Sequence, residues 1–513
     1  MGKQTKRLVV GILFIFIVGV VLFINYYPHY YALLNTPANY SYSGQASWFD
    51  PWDINNYFAV IKLAQKEKKI LLSNINTTER VKPAFVYPLY TTVAIIFPRV
   101  NNILLYHVLA IVCGILLASG IFVLSNLLLK KSFHSLYALL IISLGGGLGF
   151  LFSAPGISAD LNIPGVTFFS TFQKPHEAIA AFLYISSLVF FFLSVDKKNI
   201  IFLLISIVSF LLLIPIYPYR LLSFFLIAGI FVLLSYMRVQ KKYPFIYLGI
   251  FSALVFPLAI IYTLHFLSSG FSVLTSYQPN NISLISLLLG YGFFIVLFAC
   301  QLFTPNNKTS LITFLNIWVL VSVGLAILPF GMSRLYLSGL LFPMAILFML
   351  CLKDISKRST ILAFILMMFI LILLLPTSLY TFHKRIVEVK NNNIWYYIPV
   401  QLKHGFDFLE RSKQDGVLAL SPLSSYIPAQ TGKHVYFGIK DQTPDYDNKV
   451  NNAVLFYSGK LTENQAKAFL KENNIHFVIV STQEEQVGKP SYPFLTVVYK
   501  NKGIEILKTT WAD

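Results

Sequence analysis

The sequence predicts a polytopic α-helical membrane protein of about 11 spans that ends in a separate extracytoplasmic α/β domain, and three observations carry that expectation. The first is composition: 56% of the residues are hydrophobic and 12% are charged, where ordinary soluble domains run at about 25% charged. The second is the arrangement of Ile, Leu and Phe in blocks long enough for a hydrocarbon core of ~30 Å, which takes about 20 helical residues. The third is a break near residue 385, beyond which the chain reads as a soluble protein. Helices are the expected spanning form because each backbone polar group must be satisfied within its own segment. No stretch alternates as a barrel strand would.

Apolar spans fall near residues 8–25, 103–125, 133–152, 178–195, 199–216, 221–237, 245–267, 284–303, 311–328, 335–352 and 359–379. The first follows Lys3, Lys6 and Arg7, lacks a small-residue cleavage site and is long, so it reads as a retained anchor. The formal charge of +19 does not indicate a nucleic-acid partner, which would need the cations on one polar face. Instead they punctuate the ends of apolar blocks, as Lys130 and Lys131, Lys197 and Lys198, Lys241 and Lys242, Lys357 and Arg358. That pattern marks cytoplasmic loops. It implies a multi-pass protein of the plasma membrane, with its N-terminus in the cytoplasm and its last domain outside. Residues 84–98 are apolar but short and carry Pro88; counted as a span they would invert everything downstream, so they are expected to form an interfacial or re-entrant helix. Cys113, Cys300 and Cys351 all fall in apolar segments, so no disulfide framework is expected.

Within residues 1–384 two outer loops stand out, near 26–102 and 153–177. In the first, Asp50 before Pro51 is a helix-start signal, with Asp50 as N-cap. Trp52, Tyr57, Phe58, Ile61 and Ala64 then recur at helical spacing opposite Lys62, Lys66 and Lys69, which suits an amphipathic helix in the membrane interface. The second loop is too irregular for a helix. In residues 385–513, VLALS (417–421), HFVIV (476–480), LTVVYK (495–500) and IEILK (504–508) read as strands. The last two are joined by the turn residues Asn501, Lys502 and Gly503. Thr462 and Gln465 form a capping box that opens a helix reaching Asn473, and strands alternating with helices suggest a small α/β domain.

Only eight acids precede residue 385: Asp50, Asp53, Glu67, Glu79, Asp160, Glu177, Asp196 and Asp354. Asp196 and Asp354 lie beside lysines in the cytoplasmic loops; the other six lie in the two outer loops. Carboxylates near a bilayer are costly unless paired, solvated or used, so a polar site is expected on the outer face. Taken singly, Asp50 is best read as a cap, Asp53 as a first-turn acid favoured by the helix dipole, and Glu177 as a cap of the following span. Glu79 and Asp160 are best read as solvated loop acids. Tyr57 lies one turn beyond Asp53 on the same face. Lys174, His176, Arg220 and Arg334 sit at outer span ends, where each alone can snorkel to the headgroups. Together they suit a phosphate clamp. Carboxylates facing cations at a membrane surface fit transfer from a lipid-phosphate sugar donor, with an aspartate as general base on an acceptor hydroxyl.

An aspartate in the first outer loop followed by a tyrosine and an amphipathic helix resembles the GT-C glycosyltransferases. That superfamily includes protein O-mannosyltransferases, aminoarabinose transferases and the catalytic subunits of oligosaccharyltransferases. The matching pieces are DINNY (53–57), Thr77-Thr78-Glu79, LGGGLGF (144–150), Asp160, KPHEA (174–178), PAQTGKHVYFG (428–438) and NNIHFVIV (473–480). The similarity is greatest to bacterial members with an Asp-x-x-x-Tyr element, which often have a glutamate at the place of Gly165. The resemblance implies Asp53 as base and Asp160 as a second acid of the donor pocket. It also implies a polyprenyl-phosphate sugar donor, a glycan, lipid or protein acceptor, and in some members a divalent cation. Oxygen ligands such as Asp53, Glu79 and Asp160 would suit Mg or Mn. The alternatives are a transporter or flippase of lipid-linked glycans, and a catalytically inactive polymer- or lipid-binding scaffold. Mid-span charges, which a transport pathway would place on broken helices, are nearly absent.

Overall fold

The computed structural model of the chain describes residues 3–152, 157–276, 282–302, 309–328 and 333–510. The chain divides into two compact units: Met1–Pro28, Leu109–Thr263 and Gln278–Ile386 form the first, and His29–Val108, Leu264–Tyr277 and Val387–Asp513 the second. The compositional break expected at residue 385 thus lies beside a unit boundary, and the second unit also takes in most of the first outer loop.

Eight helices among the described residues are long and apolar enough to cross a membrane: Gln4–Leu34, Asn102–Leu129, Pro175–Lys197, Arg220–Arg238, Tyr243–Leu267, Ser310–Ile327, Arg334–Arg358 and Thr360–Lys390. The other three expected blocks are not among them, because they are short or broken. Ser132–Leu144 has 13 residues and Ile200–Leu213 has 14, about 20 Å of helix each at 1.5 Å per residue. The block near 284–303 is split into Leu284–Tyr291 and Phe293–Leu302. Two of these interruptions meet. The helix Ser132–Leu144 stops at the glycine run, and the Leu148 N–H bonds Leu289 O at 2.8 Å. A Cβ on Gly147 would lie 2.1 Å from that same oxygen, so only glycine allows the approach. After Leu213 the chain meets Pro215 and Pro218, which cannot continue a helix.

The first unit is cemented by aromatic side chains. Phe224 stacks on Phe251 with centroids 4.2 Å apart, and Phe192 on Phe314 at 5.0 Å. Trp318 is fully buried beside them. Leu, Ile and Phe residues such as Ile201, Ile261, Ile361 and Phe364 face outward, as lipid contact requires.

In the second unit, Pro51–Glu67 is a helix of 17 residues, but it is not the half-exposed interfacial helix expected. Tyr57, Phe58, Ile61 and Ala64 are buried, and so are Asn55, Asn56, Val60 and Leu63 around the rest of its circumference. The helix packs on Leu423–Thr431 and on the short helix Pro88–Ile96. That short helix, of nine residues, is the non-spanning segment expected around Pro88. Strand β1 (Tyr40–Tyr42) pairs antiparallel with β2 (Tyr397–Pro399). Four further strands, β3 (Val417–Leu418), β4 (Phe477–Ser481), β5 (Leu495–Lys500) and β6 (Ile504–Thr509), form a sheet in the order β3-β4-β6-β5. β3 is parallel to β4 and the other pairs are antiparallel. β3 is shorter than the expected 417–421 because Leu420 gives its N–H to Glu484 Oε1 at 2.8 Å. Both faces of the sheet are buried: Val417, Phe477, Ile479 and Ile506 point into one core, Leu418, Val478, Val480 and Leu507 into another. The capping box of Thr462 and Gln465 opens the helix Glu463–Glu472, and Asn501 Oδ1 closes the β5–β6 turn by accepting from Gly503 N–H at 2.8 Å.

Candidate active site

The second unit holds Asp53 in the first turn of its helix, at the positive end of the helix dipole. Tyr57, one turn on, donates a 2.8 Å hydrogen bond from its hydroxyl to Asp53 Oδ2. Its ring stacks on Tyr90 with centroids 5.0 Å apart and meets Tyr87 edge-on at 5.8 Å. Tyr57 is therefore fixed, while Asp53 stays partly exposed. Asp50 corrects its expected role. It occupies the N-cap position, but its backbone is left-handed (φ 45°) and its side chain makes no cap hydrogen bond. The Asp50-Pro51 pair starts the helix through the proline, and a left-handed non-glycine residue stores strain beside Asp53.

Around the same helix lies a buried amide network that sequence reading missed. Asn76 Nδ2 donates to Asn56 Oδ1 at 3.1 Å and to Gln442 Oε1 at 3.2 Å. Asn74 Nδ2 donates to Gln442 O at 2.7 Å and to Gly270 O at 2.9 Å. Lys449 bonds Thr77 Oγ1 at 2.8 Å and forms an ion pair with Glu79. The signal was the density of Asn and Thr at 55–56 and 74–78, a composition that reads equally well as an open loop. Nearby, Ser73 Oγ lies 2.9 Å from His434 Nε2, and His434 Nδ1 lies 2.8 Å from Asp415 Oδ2. Burial works against ionisation of Asp415, but hydrogen bonds from His434 and the Gly416 N–H hold its carboxyl down at about 2. These contacts tie the loop after the Asp53 helix to the sheet domain.

The first unit carries the four cations expected at outer span ends, Lys174, His176, Arg220 and Arg334. Lys174 is the N-cap residue of Pro175–Lys197, is 3% exposed, and has its Nζ 3.9 Å from Glu177 Oε1. Glu177 is a first-turn acid of that helix. The His176 ring lies 6.0 Å from Tyr217, which is 5.2 Å from Tyr219. Arg220 is buried, with Cζ 4.7 Å from the Tyr184 ring and 5.6 Å from Tyr219. Its Nη1 reaches Tyr336 O at 3.4 Å, and Arg334 stands on the same 3-10 turn, Ser333–Leu337. Tyrosines thus frame His176, Arg220 and the turn that bears Arg334.

Asp160 is not the solvated loop acid expected. It lies in the short helix Ala159–Asn162 and is 2% exposed. Its Oδ2 accepts from the Gly147 N–H at 2.8 Å and the Gly149 N–H at 3.4 Å, and its Oδ1 accepts from Ser158. Burial pushes its carboxyl up, against those hydrogen bonds. This second outer loop is also less irregular than expected, with a further short helix at Phe168–Thr171; residues 153–156 of it lie outside the described residues. Gly165 has φ +81° and gives its N–H to Ser170 Oγ at 2.8 Å. A glutamate there would be strained.

Asp53 is held by Tyr57, Glu79 by Lys449, and Asp160 by the glycine run. Among the described residues no group of three or more His, Cys, Asp or Glu side chains is placed to hold a metal ion.

No family model and no curated protein matches the sequence. Solved structures do match the fold. The archaeal oligosaccharyltransferase AglB from Archaeoglobus fulgidus, in complex with an inhibitory peptide and a dolichol-phosphate, superposes with a TM-score of 0.56 at 11% identity. That match covers 99% of this chain and 75% of AglB. ArnT from Cupriavidus metallidurans in the apo state gives 0.55 at 10% identity, over 99% of this chain and 98% of ArnT. ArnT bound to undecaprenyl phosphate gives 0.51 at 10% identity, over 97% of each chain. At such identities the likeness is one of fold: a bundle of membrane helices of the GT-C type with a C-terminal α/β domain.

Proposed function

We propose, from the premise that this chain has the GT-C fold, that it is a membrane glycosyltransferase taking its sugar from a polyprenyl-phosphate donor at the outer face. The observation that carries the reading is the Tyr57–Asp53 hydrogen bond, which fixes a partly exposed carboxylate on the first-loop helix. Two proteins of the same fold have been captured with dolichol-phosphate and with undecaprenyl phosphate, which supports a lipid-phosphate carrier here. Asp53 accepts the proton of an acceptor hydroxyl as the acceptor oxygen bonds the anomeric carbon. The bond from that carbon to the donor phosphate oxygen breaks, and the electron pair leaves with the polyprenyl phosphate. Lys174, His176, Arg220 and Arg334 stabilise the charge that gathers on this leaving group. Asp160 acts as a positioning residue that holds the glycine run. The acceptor is a glycan, lipid or protein hydroxyl. The test is sugar transfer from a polyprenyl-phosphate donor by membranes containing the wild-type chain or Asp53→Asn. Transfer that persists at the wild-type rate in Asp53→Asn would remove Asp53 from the mechanism.

A further inference from the structure

A cavity of about 200 Å³ opens in the first unit where Pro175–Lys197 and Arg220–Val239 end and where Tyr243–Leu267 and Ser310–Ile327 begin. This is the lysine-rich end of the spans, which carries Lys197, Lys198, Lys241 and Lys242. His176, Glu177 and Arg220 lie in the first turns of Pro175–Lys197 and Arg220–Val239, whose last turns line the cavity, so the cavity has no part in the proposed transfer.

Its lining divides by chemistry. Arg238 and Lys241 supply cations, and Ser235, Ser310 and Thr313 supply hydroxyls. The only carboxylate among the lining residues, Asp196, is paired with Lys197 at 2.6 Å, so the rim keeps an excess of positive charge. The inner wall is apolar, formed by buried Phe231 and by Leu234. On the outward faces of two lining helices, Leu233 and Met237, then Phe245 and Ile246, are exposed large apolar side chains, which in a membrane protein meet acyl chains. A ligand here therefore meets cations and hydroxyls in the cavity and hydrocarbon just outside it.

We propose that this cavity binds the phosphate head of an anionic glycerophospholipid. Arg238 and Lys241 make charge-assisted hydrogen bonds to the phosphodiester, and the hydroxyls hold the remaining head-group oxygens. The cavity has room for a phosphoglycerol head but not for the chains, which lie along the exposed apolar side chains of the two helices. Basic pockets between membrane helices at the positive-inside end match anionic lipid in this way. A free phosphate ion would use the same cations, but it would leave the apolar flank without a role.

The experiment uses the full-length protein in a neutral detergent, titrated with phosphatidylglycerol, phosphatidylcholine or inorganic phosphate, with thermal unfolding and native mass spectrometry as readouts. Phosphatidylglycerol is expected to raise the unfolding temperature and to appear as a retained adduct, and phosphatidylcholine is not. Arg238→Gln with Lys241→Gln should weaken phosphatidylglycerol about ten- to thirtyfold, from the loss of two interfacial cations. Ser235→Trp, which fills the cavity and keeps both cations, should weaken it as well. Asp53→Asn should bind it normally, which separates this site from the transfer reaction. Equal effects of the two lipids would overturn the proposal, as would wild-type affinity in either cavity variant. Inorganic phosphate reproducing the whole stabilisation would overturn the lipid assignment.

Discussion

The Tyr57 hydroxyl and the Asp53 carboxylate are joined across one helical turn at 2.8 Å, and the Tyr57 ring is itself held by Tyr90 and Tyr87. A phenol that donates to a carboxylate steadies its orientation while using one oxygen. Asp53→Asn should therefore lower transfer by about 10²–10⁴, with protein level unchanged. Tyr57→Phe keeps the stacked ring and removes only the hydrogen bond, so its loss should be nearer tenfold. Initial rates in membranes, normalised to folded protein, measure both. Equal losses in the two variants would mean that Tyr57 does more than orient the acid.

Asp160→Ala should act on folding rather than on chemistry. It strips acceptors from the buried N–H groups of Gly147 and Gly149 and from Ser158, and each orphaned donor costs about 1–3 kcal/mol. A fall in unfolding temperature and yield is expected. A variant of normal stability that lacks transfer would return Asp160 to the donor pocket.

Gln442→Leu should disturb the Asp53 helix from a distance. The Gln442 side chain accepts from Asn76, and Asn76 in turn holds Asn56 three residues after Asp53, whereas the bond from Asn74 goes to the Gln442 backbone carbonyl and survives the substitution. Reduced transfer with little change in donor KM is expected, because the base is misplaced and the phosphate clamp is untouched. Lys174→Gln should instead raise donor KM as well as lower kcat, because the donor phosphate is already anionic before further charge gathers on it. Steady-state kinetics over a donor series separates the two.

Lys433 gives a pH signature. Burial lowers its pKa from the usual 10.5 to about 8, although the charge of Asp415 opposes the shift. Between these values the unfolded chain binds the proton and the folded chain does not. Stability should therefore rise with pH from about 8 towards 10.5, by at most about 1.4 kcal/mol per pH unit for one proton. Lys433→Met should flatten that rise in thermal unfolding at successive pH values.

Much of this organisation was legible in the chain. Length of apolar block and paired lysines are strong signals because crossing a bilayer imposes them, and eight of the expected spans stand as long apolar helices. The three that do not are those where glycine or proline interrupts a run that is apolar throughout, and hydropathy does not register the interruption. The strands at 477–481, 495–500 and 504–509 were readable from β-branched runs and turn residues. The burial of Asn56 was not, because a buried amide looks like a solvated one until its partner, here Asn76, is known. Asp160 misled for a related reason: its partners are backbone N–H groups, which leave no trace in residue identity beyond the glycines themselves.

The second unit joins residues 29–108 to residues 387–513, and this has a consequence for biogenesis. The Asp53 helix, Pro51–Glu67, is synthesised well ahead of the segment that supplies Gln442, Lys449 and the β2 partner of β1. At about 5–20 residues per second, the Asp53 helix waits roughly 20 to 80 seconds for Gln442. A truncated or stalled chain would insert its helices and still lack a finished Asp53 environment, so that environment is complete only when the last segment of the chain has been made.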